Sequence, residues 1–338
     1  MVAPVGLGTA RRRRPAAQRS RLVIPGIRED MIAAHPVIQV TAFGLSSGAT
    51  FGLLALGLVL IYRTTGAMNF SHWAIGLLAV IAYLYLANEG VPVVLAMLLA
   101  LALSPIAGIA AYRLVFRKIP RANQVVTILI TIGIAQLYAS LAAMVLGFKQ
   151  FTRLPPWLPQ GKVSFVGTQL NTTDVVTIAL AVGIAAGFLA WFRFTRTGRA
   201  LRAVAQNREA AMLAGIDDVR SSTIAWGIGS ALAALALLLV LPHVAGKQGG
   251  LITTFDITPF GTLLIPAFGA ALVGGLVNLP MALAGGFAFG LVRELLVLAP
   301  KPWSDLRAVA AALLILLLLV LRTERFFVTA QEREALEA

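Results

Sequence analysis

Cysteine is absent from the 338 residues. Disulfides, thiolate zinc sites, iron–sulfur clusters and cysteine nucleophiles are therefore excluded. Charge is scarce as well: Asp, Glu, Lys and Arg make up 12% of the chain against 59% apolar residues, where a soluble domain carries about 25% charged residues. At a mean hydropathy of +0.86, so little polar surface cannot cover a water-soluble globule, and the composition predicts a polytopic membrane protein. Acids are the scarcer sign. Fourteen Asp and Glu stand against 28 Lys and Arg, a net charge of +14, and between Met31 and Arg208 the only acids are Glu89 and Asp174. Paired-carboxylate hydrolysis, carboxylate metal cages and an acidic proton relay through the first half are disfavoured. No G-x-x-x-x-G-K-[ST] occurs, so ATP has no P-loop here; H-E-x-x-H and G-x-S-x-G are missing too. His35, His72 and His243 are too scattered in sequence to indicate a metal site.

What is present is a succession of apolar runs. A spanning helix needs about 20 apolar residues, and runs over 37–62, 67–87, 91–116, 125–148, 175–194, 222–241, 260–279, 281–298 and 308–321 approach or exceed that. The expected fold is all-α and polytopic, with about eight to nine transmembrane helices, some broken or re-entrant. The count turns on residues 260–298, one apolar stretch interrupted at Gly274-Gly275 and Asn278-Leu279-Pro280, which reads either as two spans or as a broken element. Residues 1–36, with Arg11 to Arg14, Arg19, Arg21 and Arg28 among small residues, are expected to form a basic disordered tail. The transmembrane domain is expected over 37–325 and a cytoplasmic tail over 326–338.

The basic residues sit between apolar runs, the pattern of the positive-inside rule, so membrane lipid and not nucleic acid is the expected environment. Arg113, Arg117, Lys118 and Arg121 mark one cytoplasmic loop, and Arg193, Arg196, Arg199, Arg202, Arg208 and Arg220 mark another. The Pro-rich loop over 149–174 and the loop over 243–259 then fall outside. Three crossings before Arg113 would put the basic amino terminus outside, against the same rule; either that tail is translocated or one early segment is re-entrant. Asp256, Glu294 and Asp305 are candidate membrane-level charges, with Glu294 readable as self-compensated by its neighbour Arg293.

Three segments interrupt the apolar pattern. Tyr62-Arg63-Thr64-Thr65-Gly66-Ala67-Met68-Asn69-Phe70-Ser71-His72 gathers polar groups between two hydrophobic runs. In lipid such groups must line a cavity or an interface. Gly66, Asn69, Ser71 and His72 are thus candidates for a substrate path, or for polar glue between helices. The second, Thr197 to Asp217, has helical spacing of Leu201, Val204, Ala205 and Met212, with Arg199, Arg202, Gln206 and Glu209 elsewhere, and Gly215 as its stop. By itself it fits an interfacial helix lying on headgroups. The third, Ala267 to Gly290, carries a small-residue face that includes Gly274 and Gly275, and Asn278 at the break. Core packing and a broken-helix substrate contact both remain open there.

Y-R-T-T-G-A-M-N-F-S-H and T-G-R-A-L-R-A-V-A-Q-N-R-E-A-A-M-L-A-G-I-D resemble signatures of the bacterial branched-chain amino-acid ABC transporter permeases, the family containing LivH and LivM. The E-A-A-x-x-x-G within the second string is similar to the coupling motif of importers at large. The resemblance covers residues 37–325. It implies a non-catalytic permease subunit in a prokaryotic cytoplasmic membrane, working by alternating access with a second LivH/LivM-type permease, two ABC ATPase subunits that bind the ATP, and an extracytoplasmic solute-binding protein. No cofactor of its own is implied. It further implies that a cytoplasmic coupling helix within the loop 195–219, with Gly198, Arg199, Arg202, Glu209, Ala210, Ala211 and Gly215, docks on an ATPase and moves the flanking spans through Phe194 and Ile224. Branched-chain or other small apolar amino acids are the implied solutes. An acid-poor pathway suits them, since dipoles can serve the zwitterion. A self-contained channel or ion-coupled transporter for a small neutral solute, urea-like or amide-like, is the alternative, and would need intramembrane charges or a carbonyl filter. An intramembrane enzyme would need a nucleophile or metal set that the sequence lacks.

Overall fold

The structure, a computed structural model, describes residues 27–118, 124–148, 155–165, 167–244 and 256–321. Of the basic tail expected over 1–36, residues 1–26 lie outside the described residues, while 27–36 form the first turns of α1 and are not the disordered chain expected; the carboxyl-terminal tail over 326–338 lies outside the described residues. In chain order the elements are α1 (Ile27–Thr65), α2 (His72–Asn88), α3 (Val93–Leu114), α4 (Gln124–Phe148), β1 (Lys162–Phe165), β2 (Thr168–Asn171), α5 (Thr172–Phe194), α6 (Arg196–Gln206), α7 (Arg208–Leu213), α8 (Asp218–Val244), α9 (Thr258–Thr262), α10 (Leu264–Val273), α11 (Leu279–Leu295) and α12 (Ala310–Leu321), with short 3-10 turns at Phe116–Lys118, Leu296–Leu298 and Trp303–Ala308.

Six helical stretches are long and apolar enough to cross a membrane: Pro36–Thr65, Val93–Lys118, Gln124–Val145, Thr172–Phe194, Asp218–Val244 and Leu279–Leu298. Three of the expected runs fall instead on shorter apolar helices, His72–Asn88, Thr258–Val273 and Ala310–Leu321. The shortness of α2 has a local cause. After α1 ends, the backbone reverses at Gly66, whose φ is +71°, and α2 begins at His72 beside Gly57. That point lies eight residues before the end of α1, about 12 Å deep along its axis. Part of the run over 67–87 is therefore spent on a re-entrant turn. The break after α10 is equally defined. Gly275 N–H reaches Leu272 O at 2.8 Å and Leu276 N–H reaches Ala271 O at 2.9 Å, a Schellman stop. Asn278 then caps α11, its side chain accepting from Met281 N at 3.1 Å.

α1 and α8 form the interior of the bundle, 94% and 78% buried over their most apolar stretches, against 28% for α3, α4 and α5. Such enclosure explains why neither inner helix shows an amphipathic stripe. Ser104 of α3 stitches the inner layer, its hydroxyl lying 3.0 Å from Ile75 O and 2.9 Å from Ser230 O.

The two ends of the bundle differ in chemistry. One end gathers Arg63, Arg117, Arg202 and Arg208 around the termini of α1, α3, α5 and α8, so both arginine loops lie together. The other end carries a β-hairpin, antiparallel from Lys162↔Asn171 to Phe165↔Thr168. Within the Pro-rich loop, alternation over Lys162–Phe165 and Thr168–Asn171 supplies two four-residue strands. Gln39 Nε2 donates to Thr168 Oγ1 and Gln169 O, both at 3.2 Å, and the Tyr83 hydroxyl donates to Pro155 O at 2.5 Å. The Gln39 end of α1 therefore lies at the hairpin end, opposite the arginines.

The closest helix contact is antiparallel, between α1 and α11. Gly44, Gly48 and Gly52 recur every fourth residue and face Gly290, Gly286 and Leu283; a Cβ on Gly48 would lie 2.7 Å from Phe287 Cα. Backbones this close gain packing and Cα–H···O contact that larger residues forbid. Gly187 of α5 has nothing within 4 Å of where its Cβ would be. Gly286→Val should therefore cost about 1–3 kcal/mol or more by overpacking, seen as a lower unfolding temperature and loss of monodisperse protein in detergent. Gly187→Ala, measured alongside, should leave both unchanged.

Candidate functional site

The segment over 195–219 is built from two helices instead of one. The amphipathic spacing holds through α6, where Leu201 is 0% and Val204 4% exposed. At Asn207 the backbone turns extended (φ −151°, ψ 106°) and its side chain accepts from Ala210 N at 2.9 Å, capping a new helix, α7. Phase is lost there. Met212, expected on the apolar face with Leu201, is consequently 46% exposed, and Leu213 is 91% exposed. Glu209, Ala210, Ala214 and Gly215 are exposed beside them, while Ala211 is buried. Gly215 ends α7 with φ +81°; its N–H bonds Met212 O and that of Ile216 bonds Ala211 O, both at 2.9 Å, a geometry an L side chain resists.

Arginines moor this unit to the spans. The last carbonyls of α5 lack helical partners, and α6 supplies them: Arg202 Nη1 donates to Phe192 O and Arg199 Nη1 to Phe194 O, each at 3.0 Å. The Arg202 guanidinium also lies 5.7 Å from the centre of the Phe192 ring, and Arg63 of α1 lies 5.7 Å from the same ring, within cation–π range. Gly198 is buried; its N–H bonds the capping Thr195 Oγ1 at 3.0 Å, and its Cα faces the Phe192 backbone too closely for a Cβ. At the start of α7, Arg208 forms an ion pair with Asp218, the first residue of α8, whose side chain is 6% exposed. A cavity of 230 Å³ lies beside this pair, bordered by Thr65, Tyr112, Arg117 and Thr127. Phe194 is 70% exposed, so the contacts to the spans run through Phe192 and Asp218.

The re-entrant segment is interior. Asn69, Ser71 and His72 are at most 1% exposed, and Gly66 is exposed. Asn69 Oδ1 accepts from Ser71 N at 3.0 Å and from the Ser71 hydroxyl at 2.6 Å, closing the turn that starts α2. The His72 ring occupies the gap left by Gly57, whose Cβ would stand 2.6 Å from Nε2. Gly274 is buried at the α10 stop, and Asn278 is exposed at the α11 cap. The two candidate groups meet through neighbouring aromatics: Phe70 lies 4.8 Å from Phe268, and Trp73 lies against Gly261.

Three pairings link residues far apart in sequence. Asp174 Oδ1 and His243 Nε2 lie 2.8 Å apart at the hairpin end. Glu294 pairs with its neighbour Arg293 at 3.8 Å, as expected, and more closely with Arg307 at 2.5 Å. Arg208 with Asp218 is the third. Acid scarcity was the available signal for these carboxylates, and apart from Arg293 their partners were not identifiable without the fold.

The model of a family described as "Branched-chain amino acid transport system / permease component" matches residues 40–321. The high-affinity branched-chain amino acid transport system permease protein BraD of Pseudomonas aeruginosa is 29% identical over 270 residues, 76% of this chain and 85% of BraD. LivH of Escherichia coli strain K12, named likewise, is 28% identical over 295 residues, 83% of this chain and 92% of LivH. The fructose import permease protein FruG of Bifidobacterium longum is 24% identical over 213 residues, 62% of each chain.

Removing one partner of the Arg208–Asp218 pair would leave a nearly buried charge. Arg208→Asp should destabilise the folded chain by an amount between the ~1 kcal/mol of an exposed pair and the ~3–5 kcal/mol of a buried one. The exchange Arg208→Asp with Asp218→Arg should recover most of the loss. Thermal unfolding in detergent of both single variants and the double variant measures the coupling.

Proposed function

Because the chain belongs to the family of branched-chain amino acid transport system permease components, we propose that it forms half of the membrane pathway of an ABC importer for branched-chain or other small apolar amino acids. The other half is a related permease. Two ATPase subunits supply the energy and an extracytoplasmic binding protein delivers the solute, all in the cytoplasmic membrane of a prokaryote. The chain itself is a non-catalytic transport subunit. An amino-acid solute is favoured over a sugar by the extent of likeness: the branched-chain relatives align over 76% and 83% of the chain, the fructose permease over 62%.

The observation that carries the coupling assignment is the exposed tip of α7. Leu213 at 91% exposure and Met212 at 46% stand at the arginine-rich end, flanked by the small residues Ala210, Ala214 and Gly215. An apolar knob on a small-residue platform suits insertion into a groove of another protein, where a buried anchor carries most of the binding energy. Glu209, in the first turn of α7, adds a charge at the rim. A push on α7 then reaches α8 through Arg208–Asp218, and α5 and α1 through Arg202, Phe192 and Arg63. α8 packs on α1, α2 and α3, so displacement of its first turn is felt across the bundle. Asn69, Ser71 and His72 would act in this scheme by holding the start of α2 to α1 and α8, and Asn278 by holding the break between α10 and α11.

Co-reconstitution in proteoliposomes tests the proposal. With its second permease, ATPases and binding protein present, leucine uptake should require ATP; equal uptake by this chain alone without ATP would refute it. Leu213→Asp should reduce ATPase co-purification and uptake together. Burying a leucine contributes about 1.5–3 kcal/mol, which corresponds to roughly 10- to 100-fold in affinity. Leu213→Met should stay near wild type. Normal co-purification and uptake by Leu213→Asp would overturn the docking assignment.

A further inference from the structure

A spanning helix can show lipid only what lipid tolerates. Among the described residues of the six long apolar helices, exposed side chains away from the helix ends are almost entirely aliphatic. α4 departs from this at its centre. Gln136 is the middle residue of the 25 in α4, about 18 Å from either end, and it is exposed, as is Ser140 one turn later. An amide moved from water into hydrocarbon without a partner loses its hydrogen bonds to water and gains none, which disfavours leaving it to face acyl chains.

Rotation of α4 cannot hide them. Its opposite face is fastened to the bundle by the Tyr138 hydroxyl, which donates to Ala107 O at 3.0 Å, and by Thr131, 0% exposed, whose hydroxyl lies 2.8 Å from Ile128 O and 3.3 Å from Met68 O. Gly133, Gln136 and Ser140 recur at i, i+3 and i+7, so they share one face. Gly133 has nothing within 4 Å of where its Cβ would be. Exposed Ile132, Leu137 and Leu141 rise on either side. The surface is therefore a polar strip between aliphatic flanks, open beside Gly133 and set near the middle of the helix.

We propose that Gln136 and Ser140, beside the open surface at Gly133, are this chain's mid-membrane contacts to the transported solute. A zwitterionic amino acid needs a donor for its carboxylate, an acceptor for its ammonium and an apolar wall for its side chain. The Gln136 amide and the Ser140 hydroxyl supply donor and acceptor without a fixed charge, and the aliphatic rims supply the wall. Uncharged groups hold a zwitterion weakly enough to release it, as passage requires. The proposal rests on the permease reading and adds residues that it does not name.

The natural absence of cysteine makes the test direct. Single variants Gln136→Cys and Ser140→Cys, with Leu98→Cys on α3 as a lipid-facing control and Ala139→Cys as a buried one, are assembled into the full complex in proteoliposomes. They are then treated with the charged reagent 2-sulfonatoethyl methanethiosulfonate. Positions 136 and 140 should label, and leucine delivered by the binding protein should slow that labelling several-fold, while 98 and 139 stay inert. Gln136→Leu should raise the KM for leucine uptake about tenfold with ATPase co-purification unchanged, and Gln136→Asn should fall between. Positions 136 and 140 as inert as position 98 would mean a dry face sealed by lipid or by the partner permease, and would overturn the proposal, as would an unchanged KM in Gln136→Leu. Absence of leucine uptake by the wild-type complex would count against the permease reading, whereas normal uptake with an inert position 136 counts against this inference alone.

Discussion

The close approach of α1 and α11 along facing glycines is the contact on which the rest of the bundle depends. In lipid there is no water to expel between helices, so association relies on packing and on polar contact across short distances. Gly44, Gly48 and Gly52 against Gly286 and Gly290 provide both. With α11 seated on one side of α1, α8 and α5 take the others, and α1 becomes an axis enclosed by protein. The re-entrant start of α2 follows from the same economy of volume: His72 fits against α1 only because Gly57 leaves room there.

That axis joins two ends with different work. At the hairpin end the side-chain bonds of Gln39 and Tyr83 hold loop segments to helices, and the Asp174–His243 pair ties α5 to α8. At the arginine end the bonds hold one helical unit, α6 with α7, to three spans at once. A mobile tether could not transmit force; a guanidinium fixed by a carbonyl on one side and a ring on the other can. On the proposed coupling reading, the stiff end is the one that would meet an ATPase. α4 stands apart from both. It packs chiefly on α2 and presents a polar centre to whatever lies beyond the chain.

Much of the architecture was legible in order and spacing. Apolar runs located the helices, Gly274-Gly275 and Asn278 located the break, Gly215 located the end of α7, and arginine placement grouped the loops. The errors have identifiable causes. Met212 was assigned to the buried face because helical periodicity was carried through Asn207, where a capping side chain restarts the phase. Glu294 is compensated by its neighbour Arg293, as adjacency suggests, but its shorter partner, Arg307, comes from a separate element. Strands in the loop over 149–174 escaped notice because four-residue alternation is a weak signal beside three prolines.

The sequence by itself determined the class of molecule, its family and the segments that matter, because lipid restricts composition, and loop charge orients the chain, whatever the packing. Only the tertiary structure decided which polar residues face inward and which outward. Asn69, Ser71 and His72 look exposed to a path when read along the chain, yet they are enclosed; Gln136 and Ser140 look unremarkable in an apolar run, yet they are displayed. The physical reason is rotational: a helix sets the spacing of its side chains, but the direction each one faces is set by the neighbours against which the helix is locked.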